Sequence, residues 1–164
     1  MTEQNQAEKP PLSEPNFEFV FEIRATCTRE VHIGRGPDEV LSLTPIVGGA
    51  VAGPRLNGTV LPGGGDWAVE RSGTAQLEAR YVIAADDGAA IEVLNRGYFR
   101  ATPDVIARME SGEHVSEDDP DMYFRTAPVF QTDAPAHRWL AENQFVGKAR
   151  DEDGQVCIRV FRVL

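Results

Sequence analysis

The chain has 164 residues, 41% hydrophobic and 26% charged, which is the profile of one globular domain and too short for two comfortable ones. Its 16 basic and 26 acidic residues give a formal net charge of -10 with no basic run, which argues against nucleic acid as a partner. No apolar run approaches a membrane span, and the N-terminus lacks a signal peptide's apolar segment, so no membrane and a cytoplasmic location are expected.

Residues 1–16 are polar and proline-bearing and read as a disordered lead-in, leaving residues 17–164 as a single domain. "FEFVFEIRATC" then alternates, with Phe17, Phe19, Phe21, Ile23 and Ala25 on one face of a strand. "GRGPDE" is a turn. "SLTPIVGGAVAG", "NGTVL", "DWAVER", "TAQLEARYVIA", "AAIEVLNRGYF", "MYFRTAPVFQT", "NQFVGKAR" and "QVCIRVFRVL" are further strands, punctuated by Gly, Pro and Asp. So many short strands predict an all-β antiparallel meander, whose edges are satisfied by closure into a barrel or sandwich. Two segments break the pattern. "ATPDVIARMESG" predicts a short helix, with Thr102 as N-cap, Pro103 in the first turn and Gly112 as the stop; "DAPAHRWLAEN" predicts a helical turn carrying Trp139.

Cys27 and Cys157, in the first and last strands, read as reduced thiols. Neither they nor the scattered His32, His114 and His137 have metal-ligand spacing, and no metal or other cofactor is expected. The acidic "EHVSEDDPD" reads as a solvated loop.

"AADDGA" places Asp87-Gly88 at a tight hairpin turn. Counting back symmetrically pairs Arg80 with Asn95, Val82 with Val93 and Glu78 with Gly97. Glu78, Arg80 and Asn95 then share one face, and Leu77, Tyr81, Ile83 and Leu94 the other. The polar trio is either a surface ion pair or an interior cluster holding a ligand.

"GPRLNGTVLPGGGDW" is glycine-rich but lacks the lysine of a nucleotide loop and does not join a strand to a helix. Its glycines serve bulges and close backbone approach. Arg55, Asp66 and Trp67 remain candidates for the rim of a pocket, with Trp67 as a barrel plug the plainer alternative. In "MYFRTAPVF", Tyr123 and Arg125 share a strand face opposite Phe124 and Thr126; the arginine could clamp a carboxylate or pair with a surface acid.

Taken together, "GGAVAGPRLNGTVLPGGGDW", "LEARYVI", "DDGAAIEVLNRG", "YFRTAPVFQT" and "WLAENQFVG" resemble, in order, the family known as domain of unknown function 3237, over Phe17 to Leu164. The resemblance implies a small calycin- or lipocalin-like β-barrel with one short helix and one helical turn. It also implies, from a few relatives, cofactor-independent lyase chemistry such as decarboxylation of phenolic compounds. Arg55, Asp66, Trp67, Arg80, Tyr81, Asn95, Arg96, Tyr123, Arg125 and Trp139 occupy motif positions. Where relatives often carry "FET", this chain has Phe130-Gln131-Thr132.

The expected function is a small-molecule-binding barrel, as a decarboxylase-like lyase acting on a small aromatic or phenolic carboxylate. Asp66, Tyr81, Tyr123 and Arg80 form the catalytic set. Arg55, Trp67, Glu78, Asn95, Arg125 and Trp139 form the binding set. An arginine, Arg80 or Arg125, would hold the carboxylate, Asp66 or a tyrosine would move a phenol proton, and Trp67 and Trp139 would stack on the ring. A non-catalytic carrier or sensor with the same pocket is the alternative. A homo-oligomer is a further possibility, with Leu77, Tyr81 and Ile83 forming a subunit interface.

Overall fold

The computed structural model describes residues 13–34 and 36–164. In chain order the strands are β1 (Phe17–Cys27), β2 (Val31–His32), β3 (Val40–Ala52), β4 (Gly58–Val60), β5 (Gly64–Arg71), β6 (Thr74–Ala85) and β7 (Ala90–Ala101). Helix α1 (Pro103–Glu110), β8 (Met122–Gln131), α2 (Arg138–Ala141), β9 (Phe145–Glu152) and β10 (Gln155–Val163) follow. Most of the expected lead-in lies outside the described residues; at its end, the Asn16 carbonyl accepts the Leu164 N–H at 2.8 Å.

Every strand from β5 to β10 pairs antiparallel with the next, and β1 joins β10 to β3, so the meander closes into an eight-stranded barrel. Closure leaves few backbone groups unpaired, which is the physical reason short strands adopt it. The glycine-rich segment answers to a single lane of this barrel. Both β4 and β5 run antiparallel to β3 on one side and β6 on the other, and the turn around Pro62 and Gly63 interrupts what is otherwise one strand.

Strand β1 departs from simple alternation. A bulge between Phe19 and Phe21 inserts Val20, so Val20 and Phe21 are both fully buried while Phe17 is exposed. One extra residue reverses the parity of everything before it. Phe19 therefore packs edge-on to Phe161 and under Arg159, rather than in line with Phe21.

One end of the barrel is filled. Phe21, Ile83, Ile91, Phe130 and Phe145 fill it, and α2 covers it with Leu140 and Trp139, which meets Phe21 and Phe145 edge-to-face. Burying each such side chain contributes about 1.5–3 kcal/mol. His137 ties this cover to the β6–β7 hairpin through Asp87 at 2.7 Å. Helix α1 has the expected N-cap, the Thr102 hydroxyl accepting the Val105 N–H, and packs Val105 into a satellite cluster with Val115 and Met122.

Candidate functional site

The other half of the barrel is open, and its interior holds a cavity of about 370 Å³. Its lining is two-sided. Asp66, Tyr81, Asn95, Thr126 and Asp151 project from β5, β6, β7, β8 and β9, five consecutive lanes that form a polar arc. Ala25, Cys27, Ile46, Val156 and Ile158, from β1, β3 and β10, close the circle with a mostly apolar surface that Thr44 and Gln155 interrupt. Alternation dictates which side chains enter, because on each strand the flanking residues turn outward.

Four atoms of the polar arc have no protein partner: Asp66 Oδ1, Tyr81 Oη, Asn95 Oδ1 and Thr126 Oγ1. A buried polar atom left unpaired costs about 1–3 kcal/mol, so four in one cavity are a concentrated demand for hydrogen-bonding guests. Burial also sets their chemistry. Desolvation pushes the Asp66 carboxyl up to about 6, against a bond from the Glu78 backbone amide. Tyr81 rises well above the ordinary phenol range, through burial first and the Asp66 and Cys27 charges second, so it stays a neutral donor. Asp151 keeps part of its surface open to water at the rim, and partial desolvation of its carboxyl shifts it upward too. Burial, then Asp66 and Asp151, keep the Cys27 thiol protonated. Among the described residues, no Lys, Arg or His lines the cavity, and no cluster of three or more His, Cys, Asp or Glu could hold a metal ion.

Of the residues expected from sequence, Asp66, Tyr81 and Asn95 meet in this cavity. The symmetric hairpin register is corrected by one residue: Asn95 pairs with Ala79, Arg80 with Leu94 and Glu78 with Arg96. The Gly88 N–H bonds to the Ala85 carbonyl and the Ala85 N–H to Ala89, a three-residue turn closed by Gly88 at φ 89°. That extra loop residue slips the pairing and moves Asn95 to the inner face.

The remaining candidates are elsewhere. Arg80, 73% exposed, bonds Glu92 at 2.7 Å on the outer wall beside Trp67, and Glu78 bonds Arg96 at 2.7 Å on the same wall. Trp67 is exposed and plugs nothing. Arg55 pairs with Glu18 at 3.2 Å and lies 4.7 Å over Trp139, at the filled end. Tyr123 is on the outer wall between Arg100 and Arg125. Arg125 donates to the Phe124 and Glu117 carbonyls, both at 3.0 Å. Leu77, Tyr81 and Ile83 point into the barrel, which removes them as a subunit interface. The acidic loop is likewise not simply solvated. Glu117 is buried against Arg150 and Arg159, and Asp118 pairs with Lys148.

Sequence reasoning passed over Thr126 and Asp151 as site residues. The signal for Asp151 was the parity of Phe145, Gly147 and Ala149, which carries an inward face through to an acid.

The chain matches the family described as "Protein of unknown function (DUF3237)" over residues 15–163. A UPF0311 protein of Clostridium acetobutylicum is 38% identical over 157 residues, 93% of this chain and 96% of its own. The crystal structure of a conserved protein of unknown function from Rhodopseudomonas palustris aligns with a TM-score of 0.84 at 34% identity, covering 94% of this chain and 100% of that one. A hydroalkoxylation enzyme of Penicillium herquei is 33% identical over 79 residues, 48% of this chain and 53% of that enzyme.

Proposed function

The chain belongs to the DUF3237 family, and from that premise we propose that its barrel is a cofactor-independent lyase that adds the O and H of a phenolic hydroxyl across a C=C bond of a small molecule, or eliminates them to restore that bond. The observation that carries this reading is the polar arc of unpartnered Asp66, Tyr81, Asn95 and Thr126 atoms facing an apolar wall. An aromatic body fits the apolar side while its hydroxyl meets the donors and acceptors opposite. Asp66, with its carboxyl near 6, exchanges a proton at neutral pH. Tyr81 and Asn95 orient the oxygen. Acid–base catalysis supplies roughly 10²–10⁴-fold, and orientation in the cavity adds to it.

The relative from Penicillium herquei that carries the name hydroalkoxylation enzyme supports the addition direction; its reverse is an elimination of the lyase type. Decarboxylation is the less supported form. The arginines expected to hold a carboxylate, Arg80 and Arg125, are on the outer wall, and the inward ionisable groups are acids. A negative substrate would meet like charge.

The test incubates the protein with ortho-alkenyl phenols, the matching cyclic ethers and phenolic acids, and follows product by chromatography. Turnover of the first two classes, lost in Asp66→Asn, is expected. Binding of phenols by the wild type with no turnover in any class would leave the carrier reading standing and remove the enzyme.

A further inference from the structure

The polar arc ends in a second carboxylate. In the closed barrel, β5 reaches β9 through β6, β7 and β8 in one direction and through β3, β1 and β10 in the other. The two paths are equal, so Asp66 on β5 and Asp151 on β9 come from opposite walls of one cavity. Both also lie within electrostatic reach of a single point, the Cys27 thiol. An addition across a double bond needs a proton removed from oxygen in one place and delivered to carbon in another.

We propose that Asp151 is the second catalytic carboxylate of this site, working across the cavity from Asp66 on the same bound phenol. The proposal rests on the addition–elimination reading above. In the addition direction, the Asp151 carboxylate takes the phenol O–H proton. The oxygen lone pair forms the C–O bond at one alkene carbon, and the π pair takes the proton of the Asp66 carboxyl at the other. The product is an isomer of the substrate, so no oxidant or reductant is needed. Asp151 ends protonated and Asp66 ionised. Water reaches Asp151 at the rim, and exchange through it resets both. Elimination runs the same steps backwards.

The direction of transfer follows from environment. Asp66, half-buried on the inner wall with its carboxyl raised to about 6, is protonated in part near neutral pH and is the acid, while Asp151, open to water at the rim, is the base. The other titratable groups facing the cavity are Tyr81 and Cys27, both held neutral. Because the two acids oppose each other, oxygen and hydrogen add to opposite faces of the double bond.

The experiment uses (E)-2-(but-2-enyl)phenol in deuterated water with the wild type, Asp66→Asn, Asp151→Asn and Asp151→Glu, each checked for folding by circular dichroism. The wild type is expected to give a bell-shaped kcat profile and anti incorporation of deuterium. Asp151→Asn should lower kcat by about 100-fold with KM little changed and lose the acidic limb. Asp66→Asn should abolish turnover and deuterium incorporation, and Asp151→Glu should recover part of the rate. Unchanged kcat and profile in Asp151→Asn, or syn incorporation, overturns the role of Asp151 alone. A wild type that binds 4-nitrophenol but turns over no alkenyl phenol overturns the reaction itself, and the pair with it.

Discussion

Asn95 lies directly across from Ala79 on β6 and β7, and this pairing turns its amide into the barrel beside Tyr81 instead of onto the surface beside Arg80. Tyr81 and Arg80 are sequence neighbours on opposite faces of the same wall, one 3% exposed and the other 73%. Their substitutions should therefore separate cleanly. Tyr81→Phe removes a hydroxyl that has no protein partner, so thermal stability should hold or rise slightly while affinity for 4-nitrophenol drops about tenfold. Arg80→Ala should alter stability by less than about 1 kcal/mol and leave binding unchanged, because an exposed ion pair contributes little. Calorimetric titration and thermal melts check both.

Asp66 couples the cavity to pH. Its folded pKa of about 6 lies above the ordinary 3.8, so the native state holds a proton that the unfolded chain has released. Stability from this group is fully present below about pH 4 and is lost as the pH rises through about 6. The cost of ionising it in the folded state is about 2 kcal/mol after allowance for its partial exposure. Asp66→Asn should abolish turnover yet be the more stable protein at pH 7, with the gain vanishing near pH 4. Urea denaturation at the two pH values measures this. Equal stability differences at both would contradict the burial argument.

Arg150 is 8% exposed on the outer side of β9 and sits among Glu22 at 3.2 Å, Glu117 at 3.7 Å and Glu152 at 2.6 Å. Removing the guanidinium leaves Glu22 and Glu152 to Arg24 and the buried Glu117 to Arg159 as their remaining partners. Arg150→Ala should cost about 1.5–3 kcal/mol in chemical denaturation, the worth of a hydrogen bond between charged groups. The 113–121 loop, which Glu117 anchors, should become protease-sensitive before the barrel unfolds.

Gly64 faces Tyr81 at close quarters. A Cβ there would lie 2.5 Å from the Tyr81 Cβ and 2.7 Å from the Arg80 carbonyl. Gly64→Ala should destabilise the protein by about 1–3 kcal/mol and weaken phenol binding, since the displaced strand carries the Tyr81 hydroxyl away from the arc. The same change at exposed Gly73, where nothing lies within 4 Å, should leave binding intact.

Hydropathy alternation and turn residues determined most of the secondary structure: each long strand, the capped α1 and the turn at Trp139 are local consequences of residue type and spacing. Alternation alone left a barrel or a sandwich open, since either satisfies the edges of that many short strands, and the family resemblance implied the barrel. Tertiary structure decided which polar residues meet. One added residue in the Asp86–Gly88 loop and one at Val20 each reversed a strand's parity, and parity alone separates a wall that faces water from one that faces a guest. Asp66 and Asp151 are far apart in the chain and share no motif. Only ring closure, a long-range consequence of β1 bridging β10 and β3, sets them on opposite sides of the same enclosed space.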